Sequence, residues 1–185
     1  MAKNMTVRVI SDKSISLALN RIAYEIIEKN KGIENVVIIG IRTGGAVLAE
    51  RLKKLLDGIC DADVPLGIID ITLYRDDIQD KLDQPVIQKT EILFDLSDKV
   101  VILVDDVLYT GRTVRAALDA IIDFGRPRAI QLAILADRGH RELPIRADYI
   151  GKEIPTSRSE RVEVHLKEID GKDEVIIDRS GRGGV

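Results

Sequence analysis

Two adjacent carboxylates and a turn rich in hydroxyl groups are the residues of this sequence best suited to chemistry. Asp105 and Asp106 directly follow an apolar run over 100–104, and a turn over 109–113 comes two residues later. Backbone N–H groups in such a turn, with the positive end of the following helix dipole, form a cradle for an anion. Two neighbouring acids suit ribose hydroxyls, or a metal ion bound with them. The structural alternative is a helix cap in an ordinary strand-to-helix connection.

A second candidate loop, Arg42-Thr43-Gly44-Gly45, follows the β-branched run 36–41. Exposed N–H groups and a cation in such a loop suit an anionic group, whereas a tight glycine turn without a ligand is the alternative. The glycines at 40 and 45 have the spacing of a nucleotide-binding P-loop, but Ala46-Val47 stands where that motif needs Lys and Ser or Thr. The sequence therefore excludes a P-loop nucleotide triphosphatase.

The elements around these loops alternate between strand and helix patterns. Helices are predicted over 12–30, 46–56 and 111–125, and strands over 36–41, 68–74, 100–104 and 130–135. This alternation predicts βαβ units and an α/β fold with a parallel sheet covered by helices on both faces. Ligands bind beyond the carboxyl ends of the strands in such sheets, which is where both candidate loops fall.

The remaining segments break the alternation. The polar stretch 75–91 predicts a mobile loop or a loose hairpin. Two short strands over 162–166 and 174–177, on either side of Asp170-Gly171, predict a hairpin that forms a small appendage on the sheet. We expect a single domain over 1–178 and a disordered tail over 179–185, because that tail has too little apolar content to pack.

Composition limits the classes of function. The chain has 185 residues, 45% hydrophobic and 32% charged, and no apolar run approaches the roughly 20 residues of a membrane span. Its amino end lacks a secretory signal, so we expect a cytoplasmic protein without a membrane role. The single cysteine, Cys60, excludes an internal disulfide. A net charge of −3 means that any RNA site is a local patch.

The segment Val101 to Thr113 resembles the phosphoribosyl-diphosphate motif of the type I phosphoribosyltransferases. Together with the segments 69–77 and 137–152, nearly the whole chain resembles the PyrR family, bacterial pyrimidine operon attenuation proteins that are also uracil phosphoribosyltransferases. The resemblance implies the type I phosphoribosyltransferase fold, in which a mostly parallel central sheet is flanked by helices and carries a small hood at its C-terminal end.

The resemblance implies roles for individual residues. Asp105 and Asp106 are expected to hold the ribose 2- and 3-hydroxyls, and Arg75, at the start of a closing loop, is expected to contact the diphosphate. The diphosphate loop corresponds to Arg42, Thr43, Gly44 and Gly45. The ribose and 5-phosphate segment comprises Asp105, Asp106, Val107, Leu108, Tyr109, Thr110, Gly111, Arg112 and Thr113. Asp137 and Arg138 are expected in the base pocket, and Mg²⁺ is expected to bind with the substrate 5-phosphoribosyl 1-diphosphate (PRPP), near the paired acids.

The implied reaction joins uracil to PRPP, giving UMP and diphosphate. Purine-salvage relatives carry an acid at the position of Tyr109, so its absence favours a pyrimidine base. Orotate phosphoribosyltransferase shares the motif and is an alternative that the match over 137–152 disfavours. Nothing in the sequence resembles a nucleophile–base pair, and the general acid and base are unassigned.

The resemblance also implies a basic surface on a homodimer or higher oligomer that binds the leader mRNA of pyrimidine genes, with UMP or UTP strengthening the binding. The candidate cations are Arg21, Lys29, His140, Arg141, Arg146 and Lys152. The sequence departs from its relatives at Asn20, Tyr24 and Gly44, where they carry Thr, His and often a basic residue. Three hypotheses stay open: a bifunctional enzyme and regulator, an enzyme without RNA binding, and a UMP-sensing regulator with little catalysis.

Overall fold

The computed structural model describes residues 6–71 and 90–180. Along the chain its elements are β1 (Thr6–Ser11), α1 (Asp12–Asn30), β2 (Val36–Ile41), α2 (Gly44–Cys60), β3 (Leu66–Ile69), β4 (Val100–Leu108), α3 (Arg112–Phe124), β5 (Ala129–Asp137), β6 (Tyr149–Glu153), β7 (Arg161–His165), α4 (Lys167–Asp170) and β8 (Glu174–Asp178). The predicted α/β class and the alternation of strands and helices are confirmed.

The central sheet has five parallel strands in the order β3-β2-β4-β5-β6. Every residue of β2 is buried, as expected of a strand covered on both faces. Side chains alternate between the faces, so Ile38 and Ile102 belong to the core beneath α1 and α2, while Val37 and Val101 belong to the core beneath α3. Each such burial contributes roughly 1.5–3 kcal/mol before conformational entropy is counted.

Helix α1 forms where its sequence predicted. Ser11 is the N-cap, and its hydroxyl accepts a hydrogen bond from the N–H of Ser14 at 3.3 Å. Lys31, in the left-handed conformation, ends the helix. The apolar positions at helical spacing, among them Ile15 and Ile22, are buried against the sheet.

Two predicted elements in the first half of the chain have wrong boundaries. Helix α2 extends past both ends of the predicted 46–56. At its start, tight packing against β4 holds two glycines in the helix despite their weak intrinsic preference. Strand β3 begins two residues earlier than predicted, since its pairing with β2 starts at Leu66, and it ends at Ile69 rather than at 74. Residues 72–89 lie outside the described part of the chain, and after them Glu91 forms an antiparallel bridge with Ile68.

Strand β4 is longer than predicted. It was expected to end at Val104, but its pairing with β5 continues to the pair Leu108 and Asp137, although its pairing with β2 ends at Val104. Asp105 and Asp106 therefore lie on a strand that extends past its neighbour β2. This extension holds their backbone rigidly in a place where the sequence indicated a loop.

The C-terminal appendage is a separate antiparallel sheet in the order β1-β8-β7, which we call the hood sheet. The predicted hairpin is confirmed, with the short helix α4 between its strands. The sequence patterns missed β1 and β6, which are short and largely exposed or polar. Of the tail, Arg179 pairs with Glu160 at 2.8 Å, and 181–185 lie outside the description. No helix of the described chain is both long and apolar enough to span a membrane.

Candidate active site

The carboxyl ends of β2, β3 and β4 surround a cavity of about 240 Å³. It brings the two loops singled out by sequence together with the paired acids. The lining residues are Ile41, Arg42, Thr43, Gly44, Asp70, Ile71, Asp105, Asp106, Val107 and Thr113. This placement agrees with the rule that parallel sheets bind ligands beyond their strand ends.

The loop over 42–45 lies against the paired acids because its glycines have no side chains. A Cβ atom on Gly44 would come within 2.4 Å of Asp106 Oδ2, and one on Gly45 would come within 2.4 Å of the Val104 carbonyl oxygen. The peptide bond between Arg42 and Thr43 is cis. A side chain at position 44, where the chain departs from its relatives, would therefore require the Asp106 carboxylate or the loop to move.

Asp105 and Asp106 occupy different environments. Asp105 is buried, with 6% of its surface exposed, and its Oδ1 accepts a hydrogen bond from the N–H of Asp106 at 2.9 Å. Asp106 is partly exposed to the cavity, and its Oδ1 accepts from the N–H of Val107 at 2.7 Å. Loss of surrounding water raises the pKa of Asp106, and the bond from Val107 offsets part of that rise. Burial in the folded protein therefore disfavours the ionised form of Asp106.

The turn over 109–113 is supported from the segment 139–145. Gly111 has a φ of 93° and is the N-cap of α3, whose first turn points its N–H groups towards the turn. Glu142 donates its N–H to the Thr110 carbonyl at 2.9 Å, and its carboxylate pairs with Arg112 at 2.9 Å. The predicted anion cradle is therefore a preformed turn at a helix N-terminus.

The two residues predicted for the base pocket lie at the end of β5. Asp137 forms an ion pair with Arg141. Arg138 is only 7% exposed, and its guanidinium carbon lies 4.0 Å from the centre of the Tyr109 ring. Asp137 therefore has the ion-pair role that is the structural alternative to a base contact, whereas the hydrogen bonds of Arg138 go to Thr156 and to backbone carbonyls.

Two of the cations predicted to bind RNA link α1 to its neighbours, and a third links β6 to β1. Arg21 donates to the Gly151 carbonyl at 2.7 Å, Lys29 pairs with Asp148 at 2.5 Å, and Lys152 donates to the Val9 carbonyl at 2.9 Å. Arg21 and Lys152 line one groove beside the exposed side chain of Leu17. Asn20 and Tyr24 are exposed on the same helix.

The other three predicted cations lie between β5 and β6. Arg141 donates to the Tyr109 carbonyl at 2.8 Å and to the Ile145 carbonyl at 3.1 Å. His140 Nε2 contacts the Thr156 carbonyl oxygen at 2.5 Å, and Arg146 is exposed. Arg141 therefore supports the turn from behind, whereas Arg146 faces solvent.

Sequence reasoning missed three residues of the cavity lining, Ile41, Asp70 and Ile71, of which Asp70 carries a charge. Asp70 follows the end of β3 and lines the cavity, and its N–H donates to Thr90 Oγ1 at 3.2 Å. The rule that found Asp105, an acid at the carboxyl end of a parallel strand, could have found it once β3 was placed correctly. Arg75 lies outside the described residues, and its predicted diphosphate contact stays a prediction.

The described residues hold no cluster of three or more His, Cys, Asp or Glu side chains arranged for a metal ion. The cavity nevertheless offers carboxylate oxygens from Asp70, Asp105 and Asp106, the donor type that Mg²⁺ prefers. Such a set fits a Mg²⁺ ion that takes most of its ligands from substrate oxygens and water.

Comparison with known proteins assigns the family. The Phosphoribosyl transferase domain model matches residues 10–178. The Bifunctional protein PyrR of Deinococcus radiodurans is 61% identical over 165 residues, covering 89% of this chain and 90% of its own length. That of Clostridioides difficile is 58% identical over 170 residues, covering 92% and 96%. The chain belongs to the PyrR family.

Solved structures agree on the fold. A hypoxanthine phosphoribosyltransferase of Trypanosoma cruzi superposes with a TM-score of 0.71 at 17% identity, covering 93% of this chain and 95% of that one. A hypoxanthine-guanine phosphoribosyltransferase of Bacillus anthracis gives 0.68 at 21% identity, covering 96% and 98%. The expected type I phosphoribosyltransferase fold is confirmed for this PyrR family member.

Proposed function

We propose that this chain transfers the phosphoribosyl group of PRPP to uracil, giving UMP and diphosphate. The observation that carries the proposal is the single cavity in which the 42–45 loop, Asp105, Asp106 and Thr113 meet. A helix N-terminus supports a phosphate at one side, and a loop with exposed N–H groups supports a second anion at the other. PRPP carries both anions on one ribose.

The reaction is a displacement at C1 of the ribose. The bond from C1 to the diphosphate oxygen breaks as a bond from C1 to N1 of uracil forms, and the N1 proton is released. Positive charge develops on the sugar as diphosphate leaves, so the carboxylates of Asp105 and Asp106 stabilise the sugar while they hold its hydroxyls. Asp106 must be ionised for this role. Because its pKa is raised, Asp106 becomes protonated and the role is lost at a higher pH than for an ordinary aspartate as the pH falls.

The cofactor of the proposed reaction is Mg²⁺. When bound with PRPP it would neutralise charge on the leaving diphosphate. Asp105 and Asp106, with Asp70 beside them, are the residues that would hold the ion together with the bound substrate. The contribution of the chain itself is to fix the ribose, to bind the 5-phosphate at the start of α3 and to keep the 42–45 loop against the acids.

A pyrimidine base fits the site better than a purine. Tyr109 stands where purine-salvage relatives carry an acid, and Arg138 covers its ring at 4.0 Å. A neutral aromatic ring at this place supplies no carboxylate to accept a proton from a purine.

The test is UMP formation from uracil and PRPP with Mg²⁺, with orotate and hypoxanthine as competing bases. We expect turnover with uracil but not with orotate or hypoxanthine. The double variant Asp105→Asn/Asp106→Asn should lose at least about a thousandfold in kcat/KM. The control Asp63→Asn changes an acid whose side chain is 95% exposed at the far end of α2, and it should keep full activity. Folded wild-type protein without uracil turnover would refute the proposal.

We also propose that the chain, as at least a dimer, regulates pyrimidine genes by binding their leader mRNA more tightly with UMP or UTP. The groove lined by Arg21 and Lys152 lies beside the edge strand β6, and the exposed Arg146 precedes that strand in the chain. Phosphate contacts of this kind give affinity that falls steeply with salt.

This second activity is tested with the leader RNA of the chain's own pyrimidine genes. We expect UMP to tighten binding, and Arg146→Ala to weaken it several-fold and to reduce its salt dependence by about one phosphate contact. Arg128→Ala, which changes an exposed arginine just before β5, is the matched control. Equal binding with and without UMP, together with full uracil turnover, would leave an enzyme without RNA regulation.

A further inference from the structure

Arg138 is a buried cation whose hydrogen bonds are directed away from the cavity. Its Nε donates to Thr156 Oγ1 at 3.2 Å, and its Nη2 donates to the carbonyls of Ser157 at 3.1 Å and Glu160 at 2.7 Å. Three of its five N–H donors are therefore committed to the segment 156–160. Loss of water lowers the pKa of Arg138, and its guanidinium stays charged because arginine is not deprotonated in proteins.

The segment that receives these bonds is itself fixed. The carboxylate of Glu160 accepts from the N–H of Ser157 at 2.8 Å and pairs with Arg179 at 2.8 Å. Thr156 also returns a hydrogen bond from its hydroxyl to the Arg138 carbonyl at 3.3 Å. Arg138 is therefore anchored on its far side by a locked turn and cannot swing freely into the site.

The near side of Arg138 meets the first residue of the phosphate turn. Its guanidinium carbon lies 4.0 Å from the centre of the Tyr109 ring, and His140 packs edge-on against the same ring at 6.1 Å. A desolvated contact between a cation and an aromatic ring is attractive and favours one ring orientation. The backbone of Tyr109 is held as well, because its carbonyl accepts from Arg141.

We infer that Arg138 is a positioning residue. It connects the Tyr109 ring to the 156–160 segment and so fixes both the ring and the turn that binds the 5-phosphate. The inference rests on the proposed function. It gives Arg138 a positioning role in place of the direct base contact expected from the resemblance. A loosened turn weakens binding of PRPP and UMP alike, so the effect falls on KM rather than on kcat.

The test combines substitutions at both partners. Arg138→Lys keeps the charge but cannot reach all three acceptors, and we expect about a tenfold rise in the KM for PRPP and in the Kd for UMP, with kcat changed by less than about threefold. The same substitution made in a Tyr109→Leu background should change KM by less than about twofold, because the ring it positions is gone. In a Tyr109→Phe background the tenfold effect should persist. Arg128→Lys, at the other end of β5, is the control.

Equal effects of Arg138→Lys with and without the ring would overturn the inference, as would a loss confined to kcat. Thr156→Val removes one acceptor and should give a smaller change in the same direction. The NMR signals of the Tyr109 ring provide a measurement that needs no ligand: they should shift or broaden in Arg138→Lys and stay unchanged in Arg128→Lys. An unchanged ring signal refutes positioning even if uracil turnover proceeds, whereas a shifted signal without turnover refutes only the proposed reaction.

Discussion

Two groups of charged residues in this protein, the cavity acids and the link from α2 to the hood sheet, are built on opposite principles. In the link, Arg51 of α2 bonds both oxygens of Glu168 and both oxygens of Asp173. These bonds lower the pKa of each acid and raise that of Arg51. In the cavity, burial raises the pKa of Asp106. In the link, ion pairs stabilise the fold. In the cavity, the fold keeps a carboxylate that burial disfavours, in a place where a ligand can contact it.

The comparison indicates where function has been preferred over stability. A carboxylate whose pKa is raised by folding is one that the native state would keep better in neutral form. Natural proteins retain such groups at active sites, where stabilising substitutions are often accompanied by a loss of activity. The stability of the link and the activity of the cavity should therefore respond separately to substitution.

Among variants that keep both cavity acids, the largest expected effect is on activity, from adding one methyl group at the cavity. Gly44→Ala places a Cβ 2.4 Å from Asp106 Oδ2 and must displace that carboxylate or the loop. We expect kcat/KM for UMP formation to fall about a hundredfold, since a shift of about 1 Å in a positioned group has that effect. Gly58→Ala on the same helix, where a Cβ meets nothing within 4 Å, should keep full activity. Comparable losses in the two variants would contradict this reading of the loop.

The next effect is on stability, from breaking the link. Arg51→Met leaves Glu168 and Asp173 facing each other without their shared cation. We expect the free energy of unfolding in urea to fall by about 2 kcal/mol, less than for a fully buried pair because Glu168 is half exposed. UMP formation at a temperature well below the midpoint should be unaffected. A variant as stable as the wild type would show that the link is a surface pair of little value.

Much of this arrangement could be predicted from residue order alone. The strand 36–41, helix α1 and the anion cradle over 109–113 follow from apolar periodicity, caps and a glycine turn, all of which are local properties. The extension of β4 through Asp105 and Asp106 could not be predicted, because pairing with β5 maintains it and pairing is not visible within one segment. The same limit hid β1, which is a strand only because β8 lies beside it.

The site shows the same division between local and distant determinants. Asp105, Asp106 and Gly44 carry their chemistry in their own types and spacing. The environment of Arg138 depends on residues 156–160, about 20 positions away, which no motif marks. The sequence therefore predicted which charged residues belong to the site. The structure was needed to show which of them line the cavity and which instead bond to neighbouring segments of the protein.

A smaller, opposite effect on stability is expected in the cavity. Asp106→Asn removes the charge that burial disfavours while keeping the size of the side chain. We expect the free energy of unfolding at pH 7 to rise by roughly 1 kcal/mol as uracil turnover is lost. Asp63→Asn, which removes an exposed acid that pairs with Lys53, should not stabilise the protein. A destabilised Asp106→Asn protein would mean that the carboxylate is held by interactions stronger than the burial that opposes it.

The smallest effect is on the pH dependence of stability, and it reverses sign between the two groups. The pKa values of Glu168 and Asp173 lie below their usual 4.5 and 3.8 in the folded protein, so their contribution is complete above those values and is lost as pH falls through the lowered ones. Asp106 has a raised pKa, so stability declines as pH rises from 3.8 through that raised value. Urea unfolding between pH 3 and pH 7 should therefore show a flatter acid limb in Arg51→Met and a steeper net gain with pH in Asp106→Asn than in the wild type. Parallel curves for all three proteins would remove the electrostatic distinction between the link and the cavity.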